Sequence, residues 1–222
     1  MTSSLKAKYH ILAILTVAVW GTTFISTKIL INNGLSPQEI FLLRFIIAYI
    51  GIWFISPRKI FSDSIKDELT MFAAGLTGGT LYFLTENTAL KFTQTTNVAF
   101  IICATPLLTT GLSLLTDRNN KVSHNWLLGS IAALIGVAIL IFNGSVILKL
   151  SPIGDFLTLA AALSWAFYSL IINKLSKKYR SIFITRKYFY GTLGILPAFI
   201  IHPFSFPLEG FLRPEVFINL LF

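Results

Sequence analysis

The chain has 222 residues, of which 55% are hydrophobic and 12% are charged, and its mean hydropathy is +0.75. Water-soluble domains carry about 25% charged residues, so this composition excludes an ordinary soluble domain. Long apolar runs such as ILAILTVAVW and LLGSIAALIGVAILIF do not alternate between apolar and polar residues, which excludes a membrane β-barrel. We therefore predict an all-α polytopic membrane protein whose helices are embedded in the lipid bilayer.

Seven apolar segments are long enough to cross a hydrocarbon core of about 30 Å, and an eighth begins near Pro214. Two of the starts carry helix-capping chemistry. Ser36-Pro37-Gln38-Glu39 is a capping box with proline at the first helical position, and Ser151-Pro152 repeats the serine and the proline without the glutamate. The seven predicted spans are 10–31, 37–56, 67–90, 95–116, 125–143, 152–173 and 182–203.

The basic residues predict the orientation, because short cytoplasmic loops are enriched in lysine and arginine. Two sets of loops alternate along the chain, and one set holds few basic residues, namely Lys91, Lys149 and Arg213. The N-terminus is therefore predicted to be cytoplasmic, in the inner membrane of a cell. The basic residues that lie before the first span or in alternate loops are Lys6, Lys8, Arg58, Lys59, Lys66, Arg118, Lys121, Lys177, Lys178 and Arg180.

An internal repeat predicts the architecture. The segment LAILTVAVWG from Leu12 aligns with LTLAAALSWA from Leu157, which places Trp20 over Trp165. An odd number of spans separates the two copies, so the second copy has the opposite orientation in the membrane. Inverted repeats are typical of transporters, in which two halves move around a central site. We predict a first repeat over residues 1–146 and a partial second repeat over residues 147–222.

Five stretches of the sequence resemble the drug/metabolite transporter superfamily, specifically its EamA-type permeases. The resemblance covers nearly the whole chain and is most specific in the third and fifth stretches. They are VWGTTFISTK in span 1, LLRF in span 2, ENTALKFTQTTNVAFIICATPLLTTGLS across spans 3 and 4, LLGSIAALIGVAIL in span 5, and GDFLTLAAALSWAFYSLIINKL in span 6.

The resemblance implies two inverted five-helix repeats that move small metabolites, such as amino acids, by alternating access. The sequence ends at Phe222, early in span 8, so about seven to eight of the ten expected helices are predicted and the second repeat is expected to be incomplete. The alternative to a transporter is a truncated, non-transporting membrane protein or an assembly subunit.

Enzyme, cofactor and metal motifs are absent from the sequence. It contains neither H-E-x-x-H nor G-x-S-x-G nor a Walker sequence, and its three histidines, His10, His124 and His202, are predicted at different depths. The net charge of +9 is explained by topology, and no soluble basic domain that could bind nucleic acid fits between the spans. The predicted partners are a small-molecule substrate and lipid, and no pattern specifies an oligomeric state.

Polar and aromatic residues at helical spacing predict a substrate cavity. Span 1 carries Thr16, Trp20, Thr23 and Thr27 on one face, and span 6 repeats the theme with Trp165 and Tyr168. In a membrane helix such stripes either line a cavity or hold neighbouring helices together through threonine hydroxyls. Both interpretations of the stripes stay open at this point.

Spans 3 and 4 add further candidates. In span 4, Asn97 and Thr105 share a face, and Pro106 leaves the carbonyl of Ile102 without its helical donor, either as a gating kink or as a purely structural bend. In span 3, Tyr82 lies on the stripe of Gly75 and Gly79, which are predicted to allow close helix contact.

Three charged residues are predicted to form an intramembrane cluster. Arg44 of span 2 and Glu86 of span 3 lie at similar depths below the same membrane surface, and Lys28 of span 1 lies nearer to that surface. A lone charge at depth costs about 2.5 to 3.5 kcal/mol on insertion scales, so Arg44 and Glu86 are expected to pair. The pair serves either transport or structure alone.

Overall fold

The computed structural model describes residues 3–56, 60–116, 123–142 and 151–221, and over these residues it contains helices and turns without a strand. The basic residues Arg58, Lys59, Arg118, Lys121 and Lys149, on which much of the predicted orientation rests, lie outside the described residues. The seven predicted spans fall on helical segments, but the first helix begins at Ser3 rather than at residue 10, and the third, fourth and seventh spans each consist of more than one helical segment.

The described part of the chain consists mainly of α-helices, with two short segments of other helix types. These two are a π-helical segment, Gly75–Leu81, and a 3₁₀ helix, Leu208–Leu212. The α-helices are α1 Ser3–Asn32, α2 Pro37–Ile55, α3 Ile65–Ala74, α4 Tyr82–Phe92, α5 Thr95–Ile102, α6 Thr105–Thr116, α7 His124–Phe142, α8 Pro152–Leu175, α9 Ser181–Lys187, α10 Tyr190–Ile201 and α11 Pro214–Leu221.

Four stretches are both long and apolar enough to cross a bilayer: Ala7–Asn32, Pro37–Ile55, Thr95–Thr116 and Pro152–Leu175. Large hydrophobic side chains such as Leu15 and Phe54 point outward along them and remain exposed. A helical surface of this kind is stable only in lipid, so the chain is a multi-pass membrane protein.

The turn between α1 and α2 has the chemistry that its sequence predicts. Gly34 has φ +100°, and the N–H groups of Gly34 and Leu35 donate to the carbonyls of Ile31 and Leu30, which is a Schellman motif. Ser36 and Glu39 then form the predicted capping box. At the start of α8, by contrast, the Ser151 side chain makes no capping bond, and Asp155 Oδ2 accepts from the Ser151 N–H at 3.1 Å instead.

Helix α8 lies at the centre of the bundle, against α3, the π-helical segment, α4, α5 and α6. Glycines let α10 approach the π-helical segment closely. A Cβ atom on Gly191 would lie 2.7 Å from the Gly75 carbonyl oxygen and 3.2 Å from the Gly79 Cα atom, so a larger residue would force the helices apart.

Each end of the bundle contains a carboxylate, Glu39 at one end and Asp67 at the other. The Glu39 end comprises the turns that follow α1, α4 and α10 and the start of α8. The Asp67 end comprises the start of α3 and the turn between α8 and α9. The candidate functional site lies between these ends.

Candidate functional site

A cavity of about 720 Å³ opens between α1, α4, α5, α6, α7 and α8. Five of the residues predicted from the sequence line it: Trp20, Tyr82, Thr105, Pro106 and Trp165. They come from four helices and from both predicted repeats. The volume is within the range of about 300 to 1,000 Å³ that is usual for small-molecule sites.

Trp165 of α8 is the centre of an aromatic cluster beside this cavity. Its ring centroid lies 5.1 Å from that of Trp20, 4.7 Å from that of Tyr82 and 4.9 Å from that of Tyr168. All three neighbours are tilted relative to it, the geometry that aromatic pairs prefer over parallel stacking. The two aligned tryptophans of the predicted repeat are therefore in contact.

Four other predicted residues lie outside the described lining. Tyr168 packs on Tyr188 at 4.9 Å. Thr23 donates to the carbonyl of Trp20 at 2.6 Å, and Thr27 accepts from Arg44 at 2.7 Å. Asn97 donates from Nδ2 to Thr93 Oγ1 at 3.2 Å. The polar groups of Thr23, Thr27 and Asn97 bind backbone or neighbouring side chains, which is the packing alternative that the threonine stripe left open.

Pro106 interrupts the fourth span as the sequence predicts. Helices α5 and α6 are separated by a turn at Cys103 and Ala104, and the carbonyl of Ile102 has no helical donor because Pro106 lacks an N–H group. The Thr105 hydroxyl donates to that carbonyl at 2.6 Å. The break therefore lies in the cavity wall, and its freed acceptor is satisfied by the first residue of α6.

Tyr82 and Glu86 form a hydrogen-bonded pair on one face of α4. The Tyr82 hydroxyl donates to Glu86 Oε1 at 3.0 Å, and Glu86 is 5% exposed. Tyr82 lines the cavity and Glu86 does not. The carboxyl group therefore reaches the cavity wall only through the tyrosine, whose ring it orients.

The expected ion pair of Arg44 and Glu86 is not formed in the structure. Arg44 donates from Nη1 to Thr27 Oγ1 at 2.7 Å, and from Nη2 to Ser26 Oγ and to the Asn219 carbonyl, both at 2.8 Å. Similar depth brings Arg44 and Glu86 close enough to interact electrostatically. The guanidinium instead faces α1 and α11, whose oxygens accept from its two terminal nitrogens, while its buried Nε has no partner among the described residues.

Lys28 does not join these two charges either. Its ammonium group donates to the carbonyl of Leu90 in the last turn of α4. That turn has carbonyls without helical partners, which attract a cation. Each of the three predicted charges thus has its own hydrogen-bond partner, and none of the three lies in the described cavity lining.

The lining also includes residues that sequence reasoning missed. Thr109 lies four residues after Thr105, and Ser169 lies four residues after Trp165, so helical spacing from the predicted positions could have found both. Trp126, Ala133 and Val137 line the cavity from α7. That helix is apolar around most of its circumference, so its sequence carries no stripe that marks the cavity face.

At the Asp67 end, an ion pair lies within reach of solvent. Lys178 donates to Asp67 Oδ2, and the Tyr179 hydroxyl donates to the same oxygen at 2.7 Å. The Asp67 carboxylate raises the pKa of Lys178 above its ordinary value. Among the described residues, no three His, Cys, Asp or Glu side chains are grouped so that they could hold a metal ion.

Comparison with known proteins gives two kinds of match. The model of the EamA-like transporter family matches residues 7–142. An "Uncharacterized transporter" of Archaeoglobus fulgidus is 26% identical over 98% of this chain and 75% of its own length. A "Probable amino-acid metabolite efflux pump" of Escherichia coli K12 is 26% identical over 88% of this chain and 64% of its own length. No solved structure matches the chain significantly.

Proposed function

The chain belongs to the EamA-like transporter family, and on this premise we propose that it is a secondary transporter that moves small metabolites across the cytoplasmic membrane by alternating access. Its relatives are named as a transporter and an efflux pump, and its apolar helices belong in a membrane. Family membership by itself specifies neither the membrane that is crossed, nor the mechanism, nor the class of substrate.

The cavity at the Trp20 and Trp165 pair carries the proposal. A transporter needs a pocket of metabolite size within the bundle, built from elements that can move against each other. This cavity is of that size, and its wall combines α1, α4 and α6 of the first proposed repeat with α8 of the second. Equivalent residues of an inverted repeat approach each other near its pseudo-two-fold axis, so the contact between the two tryptophans supports this arrangement.

The break at Pro106 supplies a hinge in this proposal. The turn at Cys103 and Ala104 lacks the regular hydrogen-bond pattern of the helices on either side, so α6 can tilt against α5 at low cost. Such a tilt changes the cavity wall at Thr105 and Thr109. We propose that it contributes to opening the cavity alternately toward each side of the membrane.

Cys103 provides the direct test, because it is the single cysteine of the chain, it is exposed and it lines the cavity. A membrane-impermeant thiol reagent is applied to the full chain in right-side-out and in inside-out vesicles, and the labelled fraction is measured by mass shift. Alternating access predicts labelling of Cys103 from both sides, because each state exposes the cavity to one of them.

The matched control is Cys103→Ser, which removes the single thiol and must abolish the signal in both vesicle types. Replacing Pro106 by alanine restores a helical donor at the hinge and should slow labelling from at least one side. Labelling from one side only, or from neither, would contradict alternating access.

A further inference from the structure

The chemistry of the cavity wall narrows the class of substrate beyond small metabolites. None of the described residues that line the cavity is charged. The nearest predicted cations are held elsewhere, Arg44 by Ser26, Thr27 and the Asn219 carbonyl, and Lys28 by the Leu90 carbonyl. The described wall therefore offers no counter-ion to a bound carboxylate.

The threonine and serine hydroxyls of the wall donate to backbone carbonyls three or four residues earlier in the chain, and the Tyr82 hydroxyl donates to Glu86. Thr105 donates to the Ile102 carbonyl at 2.6 Å, Thr109 to the Thr105 carbonyl at 2.9 Å, and Ser169 to the Trp165 carbonyl at 2.8 Å. Thr110 does the same toward Pro106 at 2.9 Å. Each hydroxyl oxygen can then only accept a hydrogen bond from a ligand.

Indole groups supply the donors. Trp20, Trp126 and Trp165 line the cavity, and the N–H group of each has no hydrogen-bond partner among the described residues. An indole N–H is a donor only, and it can pair with a neutral acceptor. The indole ring packs on aromatic groups. The wall thus combines ring faces, a few donors and a few acceptors, all of them neutral.

We infer that this cavity binds an uncharged aromatic molecule that carries a hydroxyl or amide group, and that it rejects carboxylates. The inference rests on the proposed function in taking the cavity as the substrate site. The ring of the ligand packs against Trp20, Tyr82 and Trp165. Its hydroxyl or amide accepts from an indole N–H and donates to a threonine or serine oxygen.

The rejection of charge follows from desolvation. A carboxylate that leaves water for this wall loses its hydration and gains no cation, and the cost exceeds what a few neutral hydrogen bonds return. An ammonium group gains a cation–π interaction with the aromatic rings, but it too lacks an anionic partner in the described wall. A neutral polar group keeps its hydrogen bonds at far lower cost.

Three probes that share a phenylethyl group and differ in their polar groups test this inference: 2-phenylethanol is neutral, 2-phenylethylamine is a cation and phenylalanine is a zwitterion that carries a carboxylate. Each is titrated against the full chain in nanodiscs, and tryptophan emission is recorded with excitation where a phenyl ring does not absorb. Three of the four tryptophans line the cavity, so occupancy changes the emission. We expect the alcohol to bind about tenfold more tightly than phenylalanine, and more tightly than the amine.

Variants separate the cavity from partitioning into lipid. Trp165→Phe removes an indole N–H and should weaken binding of the alcohol about three- to tenfold. Trp53→Phe is the matched control, because Trp53 lies outside the described lining and is 51% exposed. Its substitution should leave the affinity unchanged.

The alternatives have distinct outcomes. Equal or tighter binding of phenylalanine or of the amine overturns the inference, and so does an affinity for the alcohol that responds equally to both tryptophan variants. A second measurement, protection of Cys103 from a thiol reagent by the alcohol, must agree with the titration. These results are independent of two-sided labelling of Cys103, so the failure of the inference is distinguishable from the failure of the proposed transport mechanism.

Discussion

Two carboxylates, one at each end of the bundle, are held in different ways. At the Glu39 end, Glu39 is 1% exposed and accepts from three backbone N–H groups, those of Ser36, Ser205 and Phe206, at 2.6 to 3.0 Å. At the Asp67 end, Asp67 accepts chiefly from the long side chains of Lys178 and Tyr179. Backbone donors are positioned by the fold, whereas a lysine can leave its partner for water.

This difference indicates what each end contributes. Glu39 links the start of α2 to the segment after α10. One buried carboxylate therefore holds these two segments together beside the hydrophobic cluster that α1, α2 and α11 form. Loss of this buried acceptor is destabilising, because three backbone N–H groups, among them that of the buried Phe206, lose their partner. The exposed pair at the Asp67 end contributes little, because water and salt compete for both charges.

The first prediction is that the two ends of the bundle lie on opposite sides of the membrane. A reporter fused after Lys59, Arg118 or Lys178 should report the cytoplasm, and one fused after Asn33 or Lys149 the opposite side, because basic loops stay in the cytoplasm. Alkaline phosphatase and green fluorescent protein fusions measure this with opposite signals. Finding positions 149 and 178 on the same side would remove the span between them and with it the inverted repeat.

The largest effect on stability is expected for Glu39→Ala. The change leaves the N–H groups of Ser36, Ser205 and Phe206 without their acceptor, and we expect it to lower the free energy of unfolding by about 3 kcal/mol or more. Unfolding of the purified protein in detergent measures the loss. Asp67→Ala is the matched carboxylate deletion, and an equal loss in both variants would refute the contrast between the ends.

A smaller effect is expected for Arg44→Met. The variant loses the hydrogen bonds to Ser26, Thr27 and the Asn219 carbonyl, and it should destabilise the protein by about 1 to 3 kcal/mol and loosen α11 from α1. Hydrogen exchange of the α11 amides reports the loosening. Arg44→Lys keeps the charge but lacks the planar guanidinium, so its stability should lie between those of the wild type and Arg44→Met. Unchanged exchange in Arg44→Met would contradict this role.

The smallest effect is expected for Asp67→Asn. It removes the charge that raises the pKa of Lys178. In the wild type, the pair contributes to stability below the ordinary lysine pKa, and the contribution is lost as the pH rises through the raised pKa. In the variant this pH-dependent contribution should disappear. Unfolding measured from neutral to alkaline pH, at low and at high salt, checks this. A change at neutral pH comparable to that of Glu39→Ala would show that the exposed pair matters more than its exposure allows.

The sequence by itself determined the membrane class, the helices and several of their faces. Hydropathy sets where a chain can cross lipid, because each buried backbone group must be satisfied within its own helix. Local chemistry decided the turn at Gly34 and Ser36, and spacing along one helix placed Tyr82 beside Glu86. These features depend on residues within a few positions of each other, which a sequence displays directly.

Only the tertiary structure decided which faces meet. Depth along a helix follows from the sequence at 1.5 Å per residue, but rotation about the helix axis and choice of neighbour do not. For that reason Arg44 binds the Asn219 carbonyl of α11 rather than Glu86, and Trp126 lines the cavity from a helix without a polar stripe. The cavity is likewise a property of packing, since it is formed where six helices from distant parts of the chain leave space between them.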